Sequence, residues 1–190
     1  WIKGRKGIFQ KLAEATKDNQ DIVWFHCASL GEFEQGKPII EGYKIKHPTH
    51  KILLTFFSPS GYEIRKNYDG VDWVFYLPAD TKSNAKKFIS IVKPIKVIFI
   101  KYEFWFNYMA ELKKQNISFY SVSAIFRDGQ AFFKYKWWAK QLNNVSHFFV
   151  QDKDSKELLQ SLGFSNCTVT GDTRFDSVVS NTQKAVSIPL

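Results

Sequence analysis

Residues 23–35 read Val-Trp-Phe-His-Cys-Ala-Ser-Leu-Gly-Glu-Phe-Glu-Gln and hold a complete passage from strand to helix. Asp21–Cys27 is rich in β-branched and aromatic residues, the composition of a buried strand. Ala28-Ser29-Leu30-Gly31-Glu32 breaks it, and a helical spacing follows through Phe33, Ile39, Ile40 and Tyr43. A strand that turns tightly into a helix aims backbone N–H groups and the positive end of the helix at one point. Glu32 falls on the first helical turn, where a carboxylate can act as a catalytic base. The same residues spell S-x-x-E, the capping box, in which Ser29 and Glu32 satisfy each other's helix-end donors. Spacing alone favours the cap. The two roles also oppose each other. A helix N-terminus stabilises the charged carboxylate, whereas a base working near neutrality needs burial or a neighbouring carboxylate to raise its pKa.

Outward from this stretch the same alternation repeats. Apolar runs at Lys51–Phe57, Val71–Leu77, Lys96–Ile100, Ser118–Val122, His147–Gln151 and Cys167–Thr170 predict six more strands. Helical spacing predicts helices over Gly7–Lys17, Tyr62–Tyr68, Thr81–Val92, the segment ending at Gln115, Gln130–Leu142 and Asp154–Leu162. Pro48 closes the helix after the opening strand, and Ser58-Pro59 reads as a cap followed by a first-turn proline. The strands are unbroken apolar runs rather than alternating ones, the mark of a parallel sheet covered on both faces. The expected fold is a Rossmann-like, doubly wound α/β domain over 1–190, with a mostly parallel sheet flanked by helices.

Composition narrows the partners. Hydrophobic residues make up 44% of the 190, enough for a packed core, and the net charge of +9 favours anionic partners. Aromatics reach 17%, which predicts that some sit on a surface facing something apolar or sugar-like. Cys27 and Cys167 lie far apart and read as reduced core residues of a cytosolic protein. His26, His47, His50 and His147 show no metal-ligand spacing, so no metal is expected. The chain lacks an apolar run of the roughly 18 residues that a membrane span needs. Its opening, Trp-Ile-Lys-Gly-Arg-Lys-Gly, reads either as the cytoplasmic border of a membrane helix or as an arbitrary boundary.

In open α/β sheets ligands gather beyond the carboxyl ends of the strands. The turns at those ends are Ser29 to Glu32, Ser58 to Gly61, Glu103 to Asn107, Ser123 to Arg127 and Gly171 to Arg174. None carries a dinucleotide fingerprint, a phosphate-binding P-loop or a G-x-S-x-G elbow. Singly, each turn also reads as an ordinary helix start or a surface charge. Together they place carboxylates, hydroxyls, an amide and two arginines on one rim.

Five segments resemble, in order, the 3-deoxy-D-manno-octulosonic acid (Kdo) transferases of lipopolysaccharide synthesis. His26-Cys-Ala-Ser-Leu-Gly-Glu-Phe33 is similar to the family's H-x-A-S-x-G-E, and Leu54 to Gly61 to its T-x-T-P-T-G turn. Tyr76 to Asp80 matches Y-x-P-x-D, Tyr102 to Asn107 resembles E-x-E-x-W-P-N, and Val169 to Asp176 resembles V-T-G-N-x-K-F-D. Lys101 stands where the family usually has its first glutamate, Phe106 replaces a proline, and Ser123 to Arg127 follows N-x-R-x-S only loosely.

The resemblance implies the N-terminal, acceptor-side half of a GT-B glycosyltransferase, with a nucleotide-sugar domain to follow. This chain alone is then expected to be inactive. It implies inverting transfer of Kdo from CMP-Kdo to a lipid A precursor at the cytoplasmic face of the bacterial inner membrane, without cofactor or metal. Glu32 is then the general base. Ser29, Gly31, Ser58, Ser60, Glu103, Arg127 and Arg174 are substrate-binding candidates. Phe132–Lys140 interleaves aromatics and lysines and reads as a dock for an anionic membrane, or equally as a core stripe with a solvated lysine face. The alternatives are a GT-B transferase of another nucleotide sugar, and a non-catalytic domain binding anions or nucleic acid. The absence of a nucleic-acid motif disfavours the last, so no nucleic-acid partner is expected.

Overall fold

The computed structural model describes residues 2–101 and 103–172. The chain opens with α1 (Ile2–Arg5) and α2 (Ile8–Ala15), then β1 (Ile22–Cys27), α3 (Leu30–Lys46), β2 (Lys51–Phe56), α4 (Pro59–Arg65) and β3 (Trp73–Tyr76). It continues with α5 (Lys82–Val92), β4 (Lys96–Ile100), α6 (Phe106–Lys114) and β5 (Ser118–Ala124). The last elements are α7 (Ala131–Lys134), α8 (Lys136–Gln141), a 3₁₀ turn (Leu142–Asn144), β6 (His147–Val150), α9 (Lys153–Ser161) and β7 (Cys167–Val169).

The seven strands form one sheet in the order β3-β2-β1-β4-β5-β6-β7, and every adjacent pair is parallel. The chain starts at β1, winds outward to β3, and crosses back to lay β4 on the other side of β1. The order therefore reverses between β1 and β4, whose register pairs Val23 with Lys96 and His26 with Phe99. In open α/β sheets ligands bind past the strand ends at such a reversal.

Alternate residues of β1 feed two cores, because successive side chains point to opposite faces. Trp24 joins Phe88, Phe99, Tyr108 and Leu112 beneath the helices of one face. Val23, Phe25 and Cys27 join Phe33 and Ile40 of α3, with Leu54 and Phe56 of β2, on the other. Both faces carry helices, as expected, but the coverage is unequal. On the second face α3 and α4 supply the helical cover among the described residues. Beyond α3 a hollow of about 490 Å³ remains over Ile98, Tyr120, Val122 and Phe149.

Other differences are local. The expected single helix over Gln130–Leu142 is broken at Tyr135, whose backbone is extended (φ −126°, ψ 118°). Phe132 packs on Phe104 and Phe126, while Trp138 packs on Phe106. Six residues of straight helix would point these two rings about 120° apart, and the break lets both reach the aromatics beside α6. The fifth strand runs on to Ala124 through a bulge at Ser123. Pro59 starts α4 with Ser58 as its cap, as the Ser-Pro pair predicts, and the helix ends at Arg65, three residues before the expected Tyr68.

The approach of α3 to the sheet depends on a glycine. A Cβ on Gly36 would stand 2.8 Å from Ile100 Cγ1 and 3.2 Å from Cys27 Sγ, while one on Gly42 of the same helix would meet nothing within 4 Å. Gly36→Val should therefore destabilise the fold by about 1–3 kcal/mol through overpacking. Gly42→Ala should be neutral or stabilise by up to about 1 kcal/mol. Urea unfolding of the two variants beside wild type measures both.

Candidate active site

The turn after β1 and the turn after β4 flank the sheet's reversal point, and each brings one glutamate. Glu32 lies on the first turn of α3, and Ser29 caps that helix in extended geometry (φ −137°, ψ 172°). Ser29 and Glu32 form the reciprocal capping box that their spacing predicts. Glu32 Oε2 accepts hydrogen bonds from the backbone N–H groups of Ala28 and, at 3.3 Å, of Ser29. Neither cap bond engages Oε1.

Glu103 comes from the opposite side of the reversal point. Its Oε2 accepts from Trp105 Nε1 at 2.9 Å, and its charge acts on the Glu32 carboxyl. A second negative charge near a buried carboxyl disfavours its ionisation. Burial, then the charge of Glu103, pushes Glu32 up to about 7; the Ala28 and Ser29 N–H groups and the Lys101 ammonium pull against them. Burial likewise raises Glu103, against the bonds from Trp105 and Glu32.

A wall of neutral side chains supports the pair. Trp105 lies on Phe57, with ring centroids 4.5 Å apart, and meets His26 edge-on at 5.8 Å. His26 is fully buried and held neutral, its pKa lowered by burial to about 3. Its Nδ1 lies 3.1 Å from Thr55 O and 2.9 Å from Thr55 Oγ1, which also accepts from Trp24 Nε1 at 2.7 Å.

The β2–α4 turn is tied to the same place. Ala28 O accepts from Phe57 N at 3.2 Å and from Ser58 N at 2.7 Å. Ser58 and Ser60 share a hydroxyl contact of 2.9 Å on the rim beside Glu32's turn. Gly31 is exposed, with open space around it. Arg127 stands further along, past β5, and is turned to Asp152, the cap of α9, at 3.2 Å. Arg174 lies outside the described residues. Thus the structure brings Ser29, Glu32, Ser58, Ser60 and Glu103 together and sets Arg127 apart.

Sequence reasoning missed Arg5, which donates to Leu77 O at 3.0 Å and to Phe57 O and so ties α1 to the rim. It also missed Trp105 as the partner of Glu103, although the Glu-Phe-Trp spelling was in view. Among the described residues there is no group of three metal-ligating side chains.

Comparison with known proteins identifies the family. Residues 2–177 match the family model of "3-Deoxy-D-manno-octulosonic-acid transferase (kdotransferase)". The chain belongs to the Kdo transferase family. It is 37% identical over 101 residues to the 3-deoxy-D-manno-octulosonic acid transferase of Aquifex aeolicus, covering 53% of this chain and 27% of that protein. The enzyme of the same name from Haemophilus influenzae is 26% identical over 160 residues, covering 81% and 38%. That from Rickettsia typhi is 24% identical over 200 residues, covering 100% and 42%. The chain thus spans less than half the length of these curated relatives.

Among solved structures, a protein of Listeria monocytogenes described as a UDP-N-acetylglucosamine 2-epimerase matches with a TM-score of 0.66 at 15% identity, over 90% of this chain and 50% of that one. UDP-GlcNAc 2-epimerase of Neisseria meningitidis matches with a TM-score of 0.63 at 16% identity, over 86% and 49%. These likenesses bear on the fold, which is that of one half of a GT-B protein.

The raised carboxyl carries a consequence for stability. From its ordinary 4.5 up to about 7, folded Glu32 holds a proton that the unfolded chain has released. Stability therefore falls as pH rises through that window. Glu32→Gln cannot ionise. In urea unfolding, wild type should lose more stability between pH 5 and pH 8 than Glu32→Gln does; parallel losses would contradict the raised carboxyl.

Proposed function

We propose that the protein carrying this chain transfers Kdo from CMP-Kdo to a lipid A precursor, with inversion at the anomeric carbon, and that Glu32 is the general base. One observation carries the reading: a carboxyl raised to about 7 stands at the sheet's reversal point, under the charge of a second carboxyl from the turn after β4. A base titrating near neutrality combines a large deprotonated fraction with useful basicity.

The chemistry asks for a single base. The acceptor hydroxyl gives its proton to the Glu32 carboxylate as its oxygen attacks the anomeric carbon. The bond from that carbon to the phosphate oxygen breaks, and CMP leaves as an anion. A glycosidase needs a second carboxyl to protonate its leaving sugar oxygen, whereas a phosphate leaving group does not. Glu103 raises and orients Glu32, while Ser29, Gly31, Ser58 and Ser60 line the rim where acceptor hydroxyls arrive. Arg127 and Arg174 are proposed to meet acceptor phosphate. The donor site is assigned to a further domain, in keeping with curated relatives of which this chain covers less than half. No cofactor enters this scheme.

The acceptor is lipidic, and the structure offers an apolar, basic flank near Glu103. Phe132 is buried, but Tyr135 and Trp137 are 61% and 58% exposed, and Lys134, Lys136 and Lys140 surround them. Trp137 and Trp138 lean on Phe106, the first residue of α6, at 5.7 and 4.9 Å between centroids. Of the two readings of Phe132–Lys140, the first half is thus core and the second half is surface. We assign that surface to the anionic face of the inner membrane, where aromatic rings and lysines act together. No helix among the described residues is long and apolar enough to cross a membrane.

Glu32→Ala in the whole protein should lower kcat by about 10²–10⁴-fold, and turnover within a few-fold of wild type would leave Glu32 as a cap. Binding of CMP but not UDP separates this reading from other nucleotide sugars. In liposome flotation, Trp137→Ser with Trp138→Ser should weaken association with acidic vesicles. Equal recovery with neutral and acidic vesicles would remove the membrane assignment.

A further inference from the structure

The start of α6 is capped from another part of the chain. Its own N-cap residue, Trp105, makes no side-chain cap bond, and its first turn holds no acid. The first N–H groups of a helix need acceptors from outside it, and the half-buried carboxylate of Asp80 supplies them. Asp80 Oδ2 accepts from Asn107 N–H and Oδ1 from Tyr108 N–H, both at 3.2 Å. Two more bonds join the same segments: Asn107 Nδ2 donates to Asp80 O at 3.0 Å, and Tyr108 Oη to Pro78 O at 3.1 Å. Asp80 is not needed by the helix that follows it, because Thr81 caps α5 by accepting from Asn84 N–H at 3.2 Å. A cap from within a segment stabilises its helix but moves with it. A cap from the turn after β3 fixes the helix start relative to the sheet, and that turn is itself tied to β2 by Leu77 N–H donating to Phe56 O at 2.7 Å.

We infer that Asp80 is a positioning residue for the transfer: by capping α6 from the turn after β3 it fixes Trp105 and, through the indole, Glu103. The inference rests on the reading of Glu32 as the base. Trp105 stands two residues before Asn107, whose N–H and side-chain amide Asp80 both holds. The Trp105 ring lies on Phe57 and edge-on to His26, and its Nε1 donates to Glu103 Oε2 at 2.9 Å. Asp80, the start of α6, the indole and Glu103 therefore form one continuous run of bonds. It ends on the carboxyl whose charge acts on Glu32. Groups that set the geometry of a reacting pair matter out of proportion to the bonds they make, since a misplacement of about 1 Å costs up to about 10²-fold in rate.

The test compares Asp80→Ala with Ala110→Gly in the whole protein. Ala110 is exposed in the middle of α6, so glycine there weakens the helix without touching its start. Both variants should lose stability in urea unfolding, and stability alone therefore does not separate them. Asp80→Ala should lower kcat by about 10–100-fold with little change in the acceptor KM, while Ala110→Gly should keep kcat near wild type. The indole N–H proton resonance of Trp105, assigned by its loss in Trp105→Phe, should move in Asp80→Ala and stay in place in Ala110→Gly. Asp80→Asn keeps one acceptor oxygen and should fall between Asp80→Ala and wild type in both readouts; it carries the comparison if Asp80→Ala does not fold. A kcat equal to that of Ala110→Gly would overturn the inference, as would an unmoved indole resonance. So would a loss confined to the acceptor KM, which would make Asp80 a substrate ligand. If Glu32→Gln keeps its activity, the base assignment itself has failed, and the indole resonance still reports whether Asp80 holds Trp105. If Glu32→Gln is inactive while Asp80→Ala matches Ala110→Gly, the role of Asp80 alone is refuted.

Discussion

A single carboxyl under opposed forces organises this molecule. Glu32 is drawn toward its charged form by the N–H groups at the start of α3 and toward its neutral form by burial and Glu103. Burial and Glu103 outweigh the N–H groups, and the outcome is a carboxyl raised to about 7. The balance needs α3 pressed against β1 and β4, because burial is the largest contribution. Gly36 makes that approach possible, and Ile100 and Cys27 fill the space it leaves. The balance also needs the β4–α6 segment to reach back across the reversal point with Glu103, which Trp105, braced on Phe57, holds in place. Packing far from the reacting atoms therefore sets the acidity at the site.

Much of the fold was legible because parallel strands buried on both faces are written as apolar runs. Ile22–Cys27, Lys96–Ile100 and His147–Val150 lie within a residue of where those runs put them. What escaped was decided by contacts across the chain. The break at Tyr135 depends on where Phe104 and Phe106 stand, and no periodicity within 130–142 encodes that. The thin cover over Tyr120 and Phe149 is a property of the whole sheet and cannot be read from either strand. The strand order was equally unreadable. Alternating elements fit several windings, and only the pairing of β1 with β4 put the reversal beside Glu32.

The site divides the same way. Glu32 was visible as a capping-box acid and Glu103 as part of a resemblance, but their meeting was not, since 71 residues separate them in the chain. The tie between Ala28 O and the Ser58 turn, and the tether from Arg5 to the strand ends, are likewise long-range bonds from backbone or side chain to backbone. Bonds of this kind leave no residue-type signature. Arg127 shows the converse. Its place at a strand end marks it for substrate, and its exposed guanidinium also meets the carboxylate of Asp152 that caps α9.

From the sequence, capping and catalysis appear as rival explanations of Ser29-Leu30-Gly31-Glu32, and the geometry makes them parts of one device. Both cap bonds fall on Oε2. They fix the plane and direction of the carboxyl without engaging the other oxygen, so the group is oriented before any substrate arrives. A flexible glutamate would lose side-chain freedom on reaching a productive pose, whereas here the start of the helix has already removed it. The cap's drawback is that it favours the charged form and so weakens the base. Burial and Glu103 correct that drawback without loosening the bonds that give orientation. A helix start suits this arrangement because its donors are backbone groups, fixed by the fold and unable to titrate, so that acidity can be tuned by neighbours while direction stays constant.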